Sequence, residues 1–528
     1  MSELTTADQL TEQAAPVVGQ ADGWRRLEIR TILVRPFNEI LSFIPLLIGV
    51  VALGQHGGSR LWWGIGIIVL LLGRGLLHWL TTRYRITDEQ VELRTGLIFR
   101  QRLATRRARI RTVEATAKFG HRLFGVTSVR IGTGQHDQKN SKTMKLDAVT
   151  MAEADLLRKE LLRRMVSPAV GADPVPERQV PAEVIERLDW SWLRYAPLTL
   201  SGLFAVVAIA GLVWRSFNEL DINVSRIGLL RDGVHWFEQT SVGMVIVIIA
   251  VVALVIIVFG SMVVYALKFN GYLLTREADD TLHVRRGLLT TSAVTIEEAR
   301  LRGVEIREPM LLRVGRGARC LAVATGLQHR NESHLLMPPG PVGEAHRVAA
   351  KVLRIDDPGS SPTRARLIKH SGRALRRRLL RAVLPGLILA LLLWVAHVWG
   401  DWPNWPWEAA CVLPVLGVPL GLSRFANLGH ALTPRYLVSR SGSFDRKTVA
   451  LQRDGVIGWK LRRSFFQRRA GLVTLTATIA AGRGAYHVLD ITESDGIRLA
   501  EETVPGLLAP FLVEEAMIEP SSVRLREW

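Results

Sequence analysis

The sequence predicts an α-helical transmembrane bundle of six spans joined to three small β-rich domains, each a bent sheet or barrel closed by a C-terminal helix. Three observations carry this: paired apolar runs of membrane-crossing length, a strong asymmetry of basic residues between the connecting segments, and a threefold repeat of short β-rich segments. The chain has 528 residues, 48% of them hydrophobic, with 68 Lys and Arg against 48 Asp and Glu for a formal charge of +20. Long apolar runs beside a basic surface point to a membrane rather than to free nucleic acid. Only Cys320 and Cys411 are present, which excludes a disulfide framework and any multi-cysteine metal site. The first 36 residues are polar with no early apolar stretch, so no cleaved secretory signal is expected.

A span needs about 20 apolar residues to cross a hydrocarbon core of about 30 Å. After a tail at 1–36, runs at 37–54 and 61–80 form the first pair (37–80). The first β-rich domain follows at 82–166, with a linker at 167–192. Runs at 193–214 and 242–267 form the second pair (193–267), followed by a domain at 268–356 and a basic linker at 357–382. Runs at 383–399 and 405–423 form the third pair (383–423), followed by a domain at 432–515 and a tail at 516–528; Glu408, Pro414 and Pro419 interrupt the last run. Segments 82–192 and 268–382 hold 21 and 22 basic residues, whereas 215–241 holds three and 400–404 none. Basic residues stay in the cytoplasm, so both termini and all three domains are expected there. Trp62, Trp63, Trp79, Trp190, Trp192, Trp394, Trp399, Trp402, Trp405 and Trp407 fall near the expected boundaries and read as interfacial anchors.

The repeats share one grammar. Tyr84, Tyr272 and Tyr436 each open a short strand with Thr87, Thr275 or Ser439 three residues on. A Gly or Ser turn, a second strand, an R-x-G-like turn and a Thr/Val-rich strand follow. Alternation in VELRTGLI, LHVRRGLL and LVTLTATI reads as half-buried antiparallel strands. Amphipathic helices are expected at Ala152–Met165, with Leu156, Leu157, Leu161 and Leu162 on one face, and at Gly343–Ile355. In the third repeat Pro505 and Pro510 require the helix within Ser494–Leu512 to be broken or short.

This arrangement of a membrane pair, a Tyr-x-(Ile/Leu/Val)-(Thr/Ser) strand, short strands and an R-x-G turn resembles the bacterial pleckstrin-homology-like family once called membrane-flanked domains. The threefold repetition is similar to the larger, three-repeat member of the paired membrane proteins of Gram-positive bacteria. The likeness covers about 35–520. It implies seven strands in two near-orthogonal sheets plus a C-terminal helix, repeated three times beneath the membrane. It also implies a smaller membrane partner with one such domain, and a role in envelope stress or resistance to membrane-active peptides. The second repeat departs from the pattern where Ala278–Leu282 lengthens its first turn.

No phosphate loop, H-E-x-x-H, G-x-S-x-G or C-x-x-C motif is present, so a non-enzymatic protein with no cofactor and no metal site is expected. Basic clusters are the main candidate binding signal. Arg366, Lys369, Arg373, Arg376, Arg377, Arg378 and Arg381 precede the fifth span with no acidic residue among them. Such a run can gather anionic lipid headgroups at about 1 kcal/mol per cation, although enforcing topology by itself requires such a run and is the reading the residues favour. Arg100, Arg102, Arg106, Arg107, Arg109 and Arg111 line the first repeat's strand pair, where basic residues of eukaryotic pleckstrin-homology domains hold phosphates; a solvated basic face is the alternative. The reading is a scaffold or assembly platform in the bacterial plasma membrane, contacting a smaller membrane protein, anionic lipids or further copies of itself, and no nucleic acid. A lipid or amphiphile transport protein is the alternative.

Overall fold

The computed structural model describes residues 24–30, 32–34, 37, 66, 73, 75–77, 79–87, 89–96, 101–110, 112–132, 144–150, 152–154, 156–157, 182–199, 211, 241–325, 334–400, 402–514 and 523–525. The first repeat unit contributes β2 (Arg83–Ile86), β3 (Gln90–Thr95) and β4 (Gln101–Arg106), flanked by β1 (Arg25–Arg26). It continues with β5 (Thr112–Ala117), a short α1 (Phe119–Leu123), β6 (Val126–Gly132) and β7 (Met144–Thr150). The second comprises β8 (Glu183–Arg187), the long helix α2 (Val242–Phe269), β9 (Leu273–Arg276), β10 (Thr281–Arg286) and β11 (Thr291–Glu297). After these come β12 (Leu301–Pro309), α3 (Met310–Val314), β13 (Gly317–Ala324), β14 (Leu335–Pro341) and α4 (Val342–Val352). Then α5 (Gly372–Gly400), α6 (Trp405–Ala410) and α7 (Val412–Ala426) lead into the third unit. That unit holds β15 (Gly429–Leu432), β16 (Tyr436–Ser441), β17 (Asp445–Gln452), β18 (Val456–Arg462), α8 (Phe465–Ala470), β19 (Leu472–Ile479), β20 (Ala485–Thr492) and α9 (Glu493–Thr503).

Among the described residues, three helical stretches are long and apolar enough to cross a membrane: Ala250–Phe269, Gly372–Gly400 and Trp405–Ala426. They meet the spans expected at 242–267, 383–399 and 405–423. The spans expected at 37–54, 61–80 and 193–214 fall largely outside the described residues, as does the outer segment 215–241. The helix that carries the fifth apolar run starts at Gly372, 11 residues before that run. Arg373, Arg376, Arg377, Arg378 and Arg381 fall within the first turns of α5, because Ala, Leu and Arg are strong helix formers and no proline intervenes before Pro385, whereas Arg366 and Lys369 precede the helix. The last span jogs at Cys411 between α6 and α7, while Pro414 lies in the first turn of α7, where its missing N–H has no partner to lose.

The sheets do not respect the repeat boundaries. One sheet of seven strands runs β7-β6-β5-β11-β10-β9-β8, and one of six runs β14-β13-β12-β17-β16-β15. The second half-sheet of the first unit therefore continues into the first half-sheet of the second through β5 and β11, with Thr112 opposite Ile296 and Ala117 opposite Thr291. The same joint recurs between β12 and β17, with Gly303 opposite Leu451 and Pro309 opposite Asp445. β1-β2-β3-β4 and β18-β19-β20 form the two ends.

Side chains alternate across each joint, so the two faces of one sheet serve two cores. Val304, Ile306 and Ala450 enter the central core with Tyr272, Leu274 and Leu336. Val449 and Leu451 face the third-unit core with Leu475 and Val488. The first-unit core gathers Tyr84, Leu93, Val113, Ile131 and Leu146. α4 buries Ala345, Val348, Ala349 and Val352 at helical spacing, and each such Val contributes about 1.5–3 kcal/mol.

The linker expected over 167–192 is described from 182 and is built into the fold. β8 adds to β9, and Trp192 is buried beneath Gly340 in the central core instead of anchoring at an interface. An indole tucked under a glycine fills the space a larger residue would occupy. The first unit's C-terminal helix is described only at 152–154 and 156–157. There Ala154 and Leu157 are buried, whereas Leu156 is 66% exposed and lies off the expected apolar face. α9 stops at Thr503, short of Pro505.

Candidate functional site

The third unit is tied to α5 by a buried polar knot. β20 carries a register shift against β19, with Val473 opposite Ile491 but Leu475 opposite Val488. Asp490, between them, takes a left-handed backbone with φ +57. Such a bulge re-aims a side chain, and here it turns the Asp490 carboxylate onto the first turns of α5. Arg377 donates to Oδ1, Arg378 donates through Nε to Oδ2 at 2.9 Å, and Gln467 donates through Nε2 to Oδ1 at 3.0 Å. Asp490 is 2% exposed, and a carboxylate so buried is tolerated because its charge is met by two guanidinium groups and its oxygens by hydrogen bonds.

Two histidines extend the knot. His370 Nδ1 lies 3.1 Å from the Asp490 carbonyl, and His370 Nε2 lies 3.1 Å from His430 Nδ1. Two neutral imidazoles pair well because one nitrogen donates and the other accepts. Burial lowers the pKa of both rings; that of His430 falls to about 4, helped by the neighbouring His370.

The basic run before the fifth span is thereby divided. Arg377 and Arg378 point inward to Asp490, whereas Arg366, Lys369, Arg373, Arg376 and Arg381 are exposed. The Arg373 guanidinium lies beside Gly471, the left-handed cap that ends α8. α8 starts from a Ser464–Gln467 capping box and presents Phe465 at 67% and Phe466 at 68% exposure, together with exposed Arg468 and Arg469. The outcome is an aromatic and basic patch at the foot of a membrane helix.

The other units repeat it. α3 exposes Met310, Leu311 and Val314 beside Arg313 and Arg316. The Met310 N–H donates to the Phe444 carbonyl, and the next-door Ser443 hydroxyl bonds Ser423 at the end of α7 at 3.0 Å. α1 exposes Phe119 and Leu123 and meets Phe37, at the start of the first apolar run, with ring centroids 6.2 Å apart. Leu288 and Leu289 are also exposed, on a turn held to the end of α2: the Gly287 N–H donates to Asn270 O and the Leu288 N–H to Leu267 O, both at 2.8 Å. Exposed apolar side chains thus recur where the units meet the ends of the apolar helices. Their signal in the sequence is a hydrophobic pair followed by arginine just before the R-x-G turn, as in MLLR and FFQRR, a pattern too short to stand out without the geometry.

The first-unit cluster separates as well. Arg102 Nη2 donates to both oxygens of the fully buried Glu92, at 3.0 and 2.9 Å, and Arg85 lies 3.6 Å from the same carboxylate. Arg106 is exposed on β4, and the Arg107 backbone N–H bonds Glu89 O at 2.9 Å. Arg109 belongs to the 3-10 turn Arg107–Arg109, and Arg100 and Arg111 lie outside the described residues.

Residues 39–165 and 375–502 each match the family model described as Bacterial PH domain, which supports a pleckstrin-homology-like family for the chain. The second unit lies between the matched regions. No curated protein and no solved structure matches the chain.

Proposed function

We propose that the chain is a non-enzymatic, six-span protein of the bacterial plasma membrane that displays three pleckstrin-homology-like units on the cytoplasmic side as one scaffold. The supporting observation is the pair of sheet joints: units that continue one another's sheets present a single stiff surface anchored to the membrane helices, as an assembly platform requires. A smaller membrane protein bearing one such unit is the proposed client, with a role in envelope stress or resistance to membrane-active peptides. Native mass spectrometry of the protein released gently from its own membrane tests this. A stoichiometric second membrane protein is expected, and a chain that emerges without one counts against the platform.

A second reading, lipid or amphiphile handling, is favoured by the apolar and basic patches, above all Phe465 and Phe466 beside Arg373 and Arg376. Basic residues flanking exposed aromatics suit an anionic interface. A specific lipid retained on an otherwise lone chain is the result that moves the assignment to this reading.

A further inference from the structure

The two joints obey one register rule. In each unit a 3-10 turn separates the last strand of the first half-sheet from the first strand of the second: Arg107–Arg109, Glu298–Arg300 and Arg453–Gly455. At both joints the residue two before the turn of one unit faces the residue five beyond the turn start of the preceding unit. Ile296 faces Thr112 in the first joint, and Leu451 faces Gly303 in the second. Each joint is a head-to-tail contact that consumes an outgoing edge, β5 or β12, and an incoming edge, β11 or β17.

Among the described strands, one edge of each kind is left over. β18 is the outgoing strand of the third unit and closes its sheet at one end, while β4 is the incoming strand of the first unit and closes another. β18 repeats the features of β12: both carry a register shift at the same place, Leu301 to Gly303 and Val456 to Gly458. We propose that β18 of one copy adds to β4 of a second copy by the same joint, so that the chain assembles head to tail in the plane of the membrane.

The register is then fixed: Gly458 faces Thr105, Trp459 faces Ala104, Lys460 faces Leu103, Leu461 faces Arg102 and Arg462 faces Gln101. The faces agree with the existing joints. Trp459 and Leu461 pack on the third-unit core as Val304 and Ile306 do on the central one, and Leu103 packs on the first-unit core as Val449 does on the third. Ala104 stands where Ala450 stands, opposite the larger side chain. No two like charges fall directly opposite one another, and Arg102 already meets Glu92. Lys460 and Arg462 on the free edge deter indiscriminate strand addition, while a partner strand with Leu103 and Gln101 at those positions accepts them. A contact between unlike patches propagates as a row or closes as a ring, and anchoring in one bilayer holds both edges at one height.

The inference deepens the platform reading, on which it rests for the display of both edges on one side of the membrane. Its test is disulfide trapping in native membranes, in a Cys411→Ser background because Cys411 is exposed and Cys320 is buried. The internal pair Arg307→Cys with Lys447→Cys, opposite one another in the second joint, calibrates the method as an intrachain bond. Arg462→Cys on one tagged chain and Gln101→Cys on a differently tagged chain are the equivalent positions across the proposed contact. A mixed dimer at a yield comparable to the calibration pair is expected. Arg462→Cys with Arg102→Cys is expected to fall at least about tenfold, because a one-residue slip places the thiols on opposite faces. No mixed dimer while the calibration pair closes, or equal yields in both registers, overturns the inference. A photo-crosslinking residue at position 462 that captures a different membrane protein and no second copy also overturns it, and leaves the platform reading standing. A mixed dimer with no second membrane protein in native mass spectrometry does the reverse.

Discussion

Asp490 is the residue on which the third unit's attachment turns. Asparagine keeps its shape and tolerates the left-handed backbone, so Asp490→Asn removes the charge alone and leaves Arg377 and Arg378 facing each other beneath the surface. Breaking a buried pair in this way costs about 3–5 kcal/mol, and a matching fall in the thermal midpoint of the chain in nanodiscs is expected. His430 adds a pH dependence. Its pKa is about 4 in the fold against 6.5 when unfolded, so between those values the unfolded chain binds more protons and stability falls as pH falls. The loss at pH 5 is about 2 kcal/mol from this ring; His430→Gln is expected to flatten the dependence of the unfolding midpoint between pH 7 and 5. In the sequence Arg377 and Arg378 are indistinguishable from Arg373 and Arg376. Their different fates depend on a carboxylate more than a hundred positions away, reached only once β20 bulges.

Among the described elements, α5 and α7 pack backbone to backbone. A Cβ added at Gly417 would meet the Ala382 carbonyl at 2.6 Å, one at Gly386 would meet Pro414, and one at Gly421 would meet Leu379. Membrane helices gain association by such close backbone approach, since lipid removes the hydrophobic drive between them. Gly417→Val is expected to push the pair apart at a cost of about 1–3 kcal/mol, read as a lower midpoint for loss of the folded chain in detergent and as faster proteolysis between Trp402 and Trp407. Hydropathy made the last three apolar runs legible as helices. The basic residues that begin α5 carry no apolar signal, so the helix extends ahead of the run that hydropathy marks. Alternation made the strands of each unit legible, and two prolines correctly limited α9.

At the scale of the whole molecule, the joints link the described β-rich units through two shared sheets. Gly303 sits where a Cβ would lie 2.1 Å from the Ala450 carbonyl, so Gly303→Val is expected to open the β12 and β17 joint while sparing the outer sheets; hydrogen exchange confined to 445–452 and 303–309 is the measurement. The sequence by itself determined the three apolar helices of the second half, the alternating pattern of the short strands and the basic loading of the connecting segments. All of these are written in composition and short periodicity, which persist along one dimension. The tertiary structure decided which unit's edge meets which, which arginines are neutralised and which apolar pairs line the helix ends. A strand's hydrogen-bonding edge carries no side-chain signature, and a buried ion pair exists only where folding brings distant charges out of water together.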